Sequence, residues 1–202
     1  VNKFYDFCSL LARAFYRLFF KVEIIGAERI DFTKRYVICA NHISNHDPFL
    51  LGGFMPMQAH FMAKKELFKY KIVAKVLDMV YVFPVDRENN DIHAIKKALK
   101  LLRSNENLGL FPEGTRNKTF APLPVKGGVA MMAYRTETPI LPITIDTTYR
   151  FFGPIRIVYH DPIYLDAYYG QKIDAPTLEA KSQAIVNQLY ADMVFYKPAR
   201  AK

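Results

Sequence analysis

From residue 22 onward, short apolar runs alternate with segments of helical period, and this alternation restricts the fold more than any other feature of the chain. The apolar runs 22–25, 36–40, 60–63, 80–85, 108–111, 140–145 and 156–159 read as strands. Segments 48–54, 66–78, 91–103, 128–134 and 177–195 read as helices. In 91–103, Ile92, Ile95, Leu99 and Leu102 are expected to face inward, with Lys96, Lys97, Lys100 and Arg103 outward. In 66–78, Leu67, Val73, Val76 and Leu77 form the apolar side. Strands that alternate with helices bury both faces of a sheet, so the expected fold is α/β. It is a single domain with a largely parallel mixed sheet flanked by helices. No repeat or linker interrupts it, and 202 residues suffice for one well-filled core.

The first 21 residues follow a different pattern. Asn2, Asp6, Ser9, Arg13, Arg17 and Lys21 recur at helical spacing, and the positions between them are rich in Phe and Leu. One reading is a helix packed on the domain. The sharper reading is an amphipathic membrane-associating helix over residues 1–21 preceding the α/β domain 22–202, with its aromatic face in the acyl region and its cations at lipid phosphates. Asp6, Arg13 and Arg17 interrupt any window apolar enough to span a bilayer. The two arginines and the lack of a small-residue cleavage site also argue against a signal peptide.

A net charge of +9 points to an anionic partner: nucleic acid, a membrane surface or a phosphorylated substrate. The basic residues are spread along the chain, so charge alone does not choose among these. Cys8 and Cys39 make no disulfide framework. Both are expected to be buried free thiols, which fits a reducing compartment.

Three polar clusters each follow a predicted strand: residues 41–47, Asp86-Arg87, and Glu113-Gly114-Thr115-Arg116. On parallel strands all three loops leave the same sheet edge, the usual ligand-binding edge of such folds. In the first cluster Asp47 precedes Pro48, a common helix start in which the aspartate is the N-cap. A second reading makes His42 and His46, four apart, a pair of metal ligands, although no third ligand cluster accompanies them. A third makes His42 and Asp47 a proton-transfer dyad. Positions five apart on a helix point about 140° from each other, so a touching pair needs His42 in the loop and Asp47 at the helix start. A carboxylate in contact would fix the imidazole tautomer, as a general base requires. Arg87, Arg116 and Lys126 add cations suited to phosphate, and Gly127-Gly128 after Lys126 opens a helix whose N–H groups an anion can approach.

These residues resemble the glycerophospholipid acyltransferase family, most closely its 1-acylglycerol-3-phosphate acyltransferases. Asn41-His42-Ile43-Ser44-Asn45-His46-Asp47 is similar to the family's first motif, Asn-His followed by four residues and Asp. Val82-Phe83-Pro84-Val85-Asp86-Arg87 resembles the second, Phe111-Pro112-Glu113-Gly114-Thr115-Arg116 the third, and Pro139-Ile140-Leu141-Pro142 the fourth; Lys64-Lys65-Glu66-Leu67 is also familiar. The resemblance runs in order over about residues 20–165. His46 stands at a variable position, and Asn117 stands where a serine is frequent.

The resemblance implies acyl transfer from a thioester to the free hydroxyl of a 1-acylglycerol 3-phosphate, giving phosphatidic acid. His42 is the implied general base and Asp47 its support, with His46 a bystander. Arg87, Glu113, Gly114, Thr115, Arg116 and Lys126 are the implied binders of the glycerol phosphate. No metal and no cofactor are implied; acyl-CoA or acyl-acyl carrier protein serves as co-substrate. The implied partners are membrane lipids rather than nucleic acid, and the expected location is monotopic on the cytoplasmic face of the cell membrane. The alternatives are another lysophospholipid or glycerol 3-phosphate as acceptor, and a non-catalytic protein that binds anionic membranes.

Overall fold

The computed structural model describes residues 2–86, 89, 91–119 and 121–195. Its strands are β1 (Lys21–Ile25), β2 (Val37–Ala40), β3 (Ala59–Lys64), β4 (Val82–Val85), β5 (Asn107–Leu110), β6 (Ile140–Thr147) and β7 (Pro154–Tyr159). Its helices are α1 (Lys3–Phe19), α2 (Asp47–Phe54), α3 (Lys71–Met79), α4 (Ile92–Arg103), α5 (Gly128–Thr136) and α6 (Ala175–Ala191). The strands form one sheet in the order β1-β7-β6-β2-β5-β3-β4. Strands β6, β2, β5, β3 and β4 are parallel, β7 is antiparallel to β6, and β1 is parallel to β7. This is the mixed, largely parallel sheet that the alternation implies.

Strand β2 lies at the centre and is buried on both sides, because side chains alternate across a strand. Ile38 and Ala40 join a core with Tyr16 of α1, Phe20 just after it, and Leu50 and Phe54 of α2. Val37 and Cys39 join the opposite core with Leu99, Val129 and Ile185 from α4, α5 and α6. Helices therefore cover both faces. The ends of β2, β5, β3 and β4 leave the sheet on one edge, and the loops after them carry the polar clusters. With strands about 4.8 Å apart, the loops after β2 and β5 are immediate neighbours, while that after β4 starts about 14 Å from β2.

Several elements depart from expectation. Residues 66–78 do not form one helix: a 3-10 turn (Lys65–Lys69) is followed by α3. No residue of α3 is buried, and Leu67, Val73 and Val76 face outward. Helix α4 buries Ala94, Ala98, Leu99 and Leu102, whereas Ile92, in its first turn, is 59% exposed. Helix α6 stops at Ala191 because the next backbone leaves its axis: the N–H groups of Val194 and Phe195 donate to Asp146, at 2.7 and 3.0 Å. Cys39 is buried but Cys8 is only half-buried; both are free.

In helix α1 the departure from expectation lies in the polar stripe, not in the apolar side. Its polar stripe lies partly against the domain: the Asn2 amide donates to Met79 O (2.8 Å) and Arg13 Nε to Gly53 O (2.8 Å). The side turned outward is apolar, with Phe7, Leu10, Leu11 and Leu18 exposed. Arg13 is thus tied to α2 rather than free for a lipid phosphate. Among the described residues no helix is long and apolar enough to cross a membrane.

Candidate active site

Six residues, 41–46, separate the end of strand β2 from the start of α2, and the first of them is locked to the sheet. Asn41 Nδ2 donates to Ile145 O (2.9 Å) and Asn41 Oδ1 accepts from Ile145 N (2.7 Å), so the side chain pairs with β6 as a backbone would. His42 follows at the sheet edge, 7% exposed. Its Nδ1 lies 2.8 Å from Asp47 Oδ2.

Asp47 is the first residue of α2 and is fully buried, but it does not cap that helix as an Asp-Pro start suggests. It turns back into the loop. Oδ2 also accepts from the N–H groups of Ile43 and Ser44, each at 2.7 Å, and Oδ1 accepts from the Tyr149 hydroxyl at 2.7 Å. Four donors therefore hold one buried carboxylate, which satisfies a charge that would otherwise be costly to bury. The loop folds around Asp47, and His42 is set by the same contacts. With Nδ1 facing the carboxylate, the proton sits on Nδ1 and Nε2 is left with a free lone pair. Nε2 makes no hydrogen bond among the described residues.

One face of the imidazole is packed. The Phe111 ring stacks on it (centroids 4.3 Å apart, planes at 23°), and Phe61 stacks on Phe111 (5.8 Å, 28°). This ladder depends on Gly109: a Cβ there would stand 2.3 Å from the Phe61 ring, so a larger residue would have to displace that ring.

The loop after β5 is fastened directly to His42. The His42 N–H donates to Glu113 Oε2 (2.9 Å), and the Asn117 N–H donates to His42 O (2.6 Å). Glu113 Oε1 accepts from Asn117 Nδ2 (2.6 Å) and from the Tyr190 hydroxyl of α6 (2.8 Å). Glu113, which the motif resemblance groups with the phosphate binders, thus has both oxygens taken by the protein. A carboxylate also offers no donor to a phosphate. Its place is between two loops and α6, where it joins the first motif to the third. Gly114 takes φ +64°, a left-handed turn that an L side chain strains to adopt. That turn sends Thr115 and Arg116 outward, where both are exposed; Lys126 is exposed as well, just before α5. Neither Arg116 nor Lys126 forms an ion pair among the described residues. Arg87 lies outside those residues; Asp86 before it pairs with Lys65 (2.5 Å).

Tyr149, Asn117, Tyr190 and the tether made by Asn41 belong to the site although the sequence gives them no role in it. Two of them carry a signal: Asn41 as part of the first polar cluster and motif, and Asn117 as a departure from the family pattern. His46 is no bystander either. Its Nδ1 lies 3.0 Å from the Tyr16 hydroxyl of α1, and its ring stacks on Tyr149 (5.0 Å, 28°). That engagement, with His46 beside Tyr16 and Tyr149, does not match the metal-pair reading, and among the described residues no group of three His, Cys, Asp or Glu is placed to hold a metal ion. Burial pushes the Cys39 thiol well above its ordinary range, so it is protonated and unreactive near neutral pH.

The arrangement can accept a proton at a fixed edge of one imidazole, and the segments that follow β5 expose the cations Arg116 and Lys126. Comparison with known proteins agrees with this chemistry. A family model described as Acyltransferase matches residues 21–146. A 1-acyl-sn-glycerol-3-phosphate acyltransferase of Bacillus subtilis is 37% identical over 139 residues, covering 68% of this chain and 69% of that protein. One of the same name from Borreliella burgdorferi is 28% identical over 179 residues, covering 88% and 71%. Among solved structures, the 1-acyl-sn-glycerophosphate (LPA) acyltransferase PlsC from Thermotoga maritima superposes with a TM-score of 0.75 at 26% identity, covering 93% of this chain and 78% of that one. With its family model spanning both the His42–Asp47 loop and the Glu113–Arg116 segment, the chain belongs to the Acyltransferase family.

Proposed function

We propose that the protein transfers an acyl chain from an acyl thioester to the free hydroxyl of 1-acyl-sn-glycerol 3-phosphate, forming phosphatidic acid. The observation that carries this reading is the buried contact between His42 and Asp47, which leaves Nε2 without a hydrogen-bond partner among the described residues. His42 Nε2 takes the acceptor's hydroxyl proton as the oxygen attacks the thioester carbonyl. Asp47, held by its other three donors, stabilises the imidazolium that forms. The tetrahedral intermediate then expels the thiolate, which takes the proton back from His42. No acyl-enzyme and no cofactor enter this sequence; the thioester of coenzyme A or of acyl carrier protein is a co-substrate.

Arg116 binds the acceptor's phosphate with paired N–H donors, and Lys126 adds a point charge. Arg116→Ala is expected to raise KM for lysophosphatidate about 10–100-fold, the worth of a charge-assisted hydrogen bond, with kcat changed far less. Steady-state kinetics with the acceptor varied at saturating thioester check this.

The acceptor carries a long chain and resides in a bilayer, so the site must meet the lipid surface. The exposed apolar side of α1 suits that task. Phe151 and Phe152 extend it, packed on Phe19 at 5.7 and 6.4 Å between centroids. We place the protein monotopically at the cytoplasmic face of the membrane, where its positive charge meets anionic lipid. An acceptor panel tests the substrate: lysophosphatidate, glycerol 3-phosphate and lysophospholipids with larger headgroups, in mixed micelles. A clear preference for lysophosphatidate is expected; equal or better use of another acceptor overturns the assignment.

A further inference from the structure

One of the four donors to Asp47 comes from a part of the chain that no motif includes. Tyr149 lies in the turn after β6, with its backbone held at φ +52°, a conformation uncommon and costly for a non-glycine residue. That turn aims its hydroxyl at Asp47 Oδ1, 2.7 Å away, on the side of the carboxylate not used by His42. The ring is clamped by His46, stacked at 5.0 Å, and by Phe20, edge-on at 6.3 Å. His46 is held in turn from α1: the Tyr16 hydroxyl lies 3.0 Å from His46 Nδ1 and donates to His46 O at 3.2 Å. An unbroken chain of contacts therefore runs from α1 through Tyr16, His46, Tyr149 and Asp47 to His42.

We propose that Tyr149 is a positioning residue for the acyltransfer site, holding Asp47 against His42, and that Tyr16 and His46 make the seating of α1 part of that support. The inference rests on reading His42 as the base. The Tyr149 hydroxyl is pushed far above its ordinary range, by burial first and then by the Asp47 charge, so it stays a donor throughout the working pH range. Burial and the same carboxylate also raise Tyr16. The titratable groups around the carboxylate are Tyr16 from α1, His42 and His46 from the β2–α2 loop, and Tyr149 from the turn after β6. Glu113 approaches from the loop after β5, through the backbone of His42. No Lys or Arg side chain touches Asp47 among the described residues. The fourth donor thus shares the carboxylate's charge with the imidazole, and its loss makes Asp47 hold the imidazolium more tightly.

Tyr149→Phe keeps the ring and its packing and removes only the donor. It is expected to lower kcat about tenfold, leave KM for both substrates within about twofold, and move the acidic limb of the kcat/KM profile to higher pH. Tyr16→Phe, which leaves Tyr149 intact, is expected to move the limb the same way by less. Following the His42 imidazole by NMR across the pH range, without substrate, reads the network whether or not lysophosphatidate is the acceptor. An unshifted imidazole and an unchanged profile in Tyr149→Phe overturn the proposal, as does a lower melting temperature with kinetics intact, which would make Tyr149 merely structural. A raised KM with kcat unchanged would make Tyr149 a substrate contact instead. An unchanged profile in Tyr16→Phe removes α1 from the support, and does so even if Tyr149→Phe fails to fold.

Discussion

Replacing His42 with alanine is expected to lower acyl transfer by about 10²–10⁴-fold, the usual worth of a positioned general base. The size of the effect follows from how little else near the site can take the proton. Cys39 stands three residues upstream in β2 but is buried, and burial keeps its thiol protonated. His46 is engaged with Tyr16 and stacked on Tyr149, and Glu113 has both oxygens occupied. The fold should survive the change, because the backbone N–H and C=O of His42 carry the ties to Glu113 and Asn117 while the side chain carries only the contact with Asp47 and the stack on Phe111. Liposome binding, which the proposed reading assigns to α1 and the surface charge, is expected to be unchanged. A turnover assay on purified protein beside a flotation assay separates the two. Full activity in His42→Ala would remove the base from the mechanism.

Asp47 is the second position of large expected effect, and two substitutions there read different things. Asp47→Asn keeps the shape and one acceptor oxygen but loses the charge that stabilises the imidazolium. The expected result is a kcat lower by about 10²–10⁴-fold with a modest fall in melting temperature. Asp47→Ala leaves the Ile43 and Ser44 N–H groups, His42 Nδ1 and the Tyr149 hydroxyl facing a void at a fully buried position. Unpaired buried donors are expensive, and a loss of about 3–5 kcal/mol of stability is expected, measured by denaturant unfolding. If Asp47→Ala were as stable as the parent, the loop would not be organised around that carboxylate.

The parts of this site that rest on local chemistry were legible in the sequence. A continuous apolar run ending in polar residues marks β2 and its loop, and the five-residue spacing requires His42 in the loop with Asp47 at the helix start, which is where both stand. The identity of Asp47's partners was not legible. An Asp-Pro pair reads as a cap because local backbone N–H groups are the usual partners of such an aspartate. Here the donors are upstream N–H groups and a tyrosine 102 residues away. Tertiary partners of this kind leave no periodic trace, which is why Tyr149, Tyr190 and the clamp at Glu113 went unread. Helix α1 shows the same limit. Its pattern gives a polar stripe and an apolar side, but only the sites on Gly53 and Met79 that receive Arg13 and Asn2 determine that the apolar side faces out. In residues 66–78 the helical period is present from Lys71 to Met79, but a 3-10 turn replaces its first part. No residue of α3 is buried, so the apolar side named by the period stays open among the described residues.

Thiol release from an acyl thioester, followed in mixed micelles with and without lysophosphatidate, tests the central claim most directly. Direct transfer by His42 predicts that thiol appears only when the acceptor is present. Each thiol should be matched by one phosphatidic acid, with both absent in His42→Ala. Thiol released at the same rate without acceptor, or an acylated chain seen by intact mass after incubation with thioester alone, would contradict it.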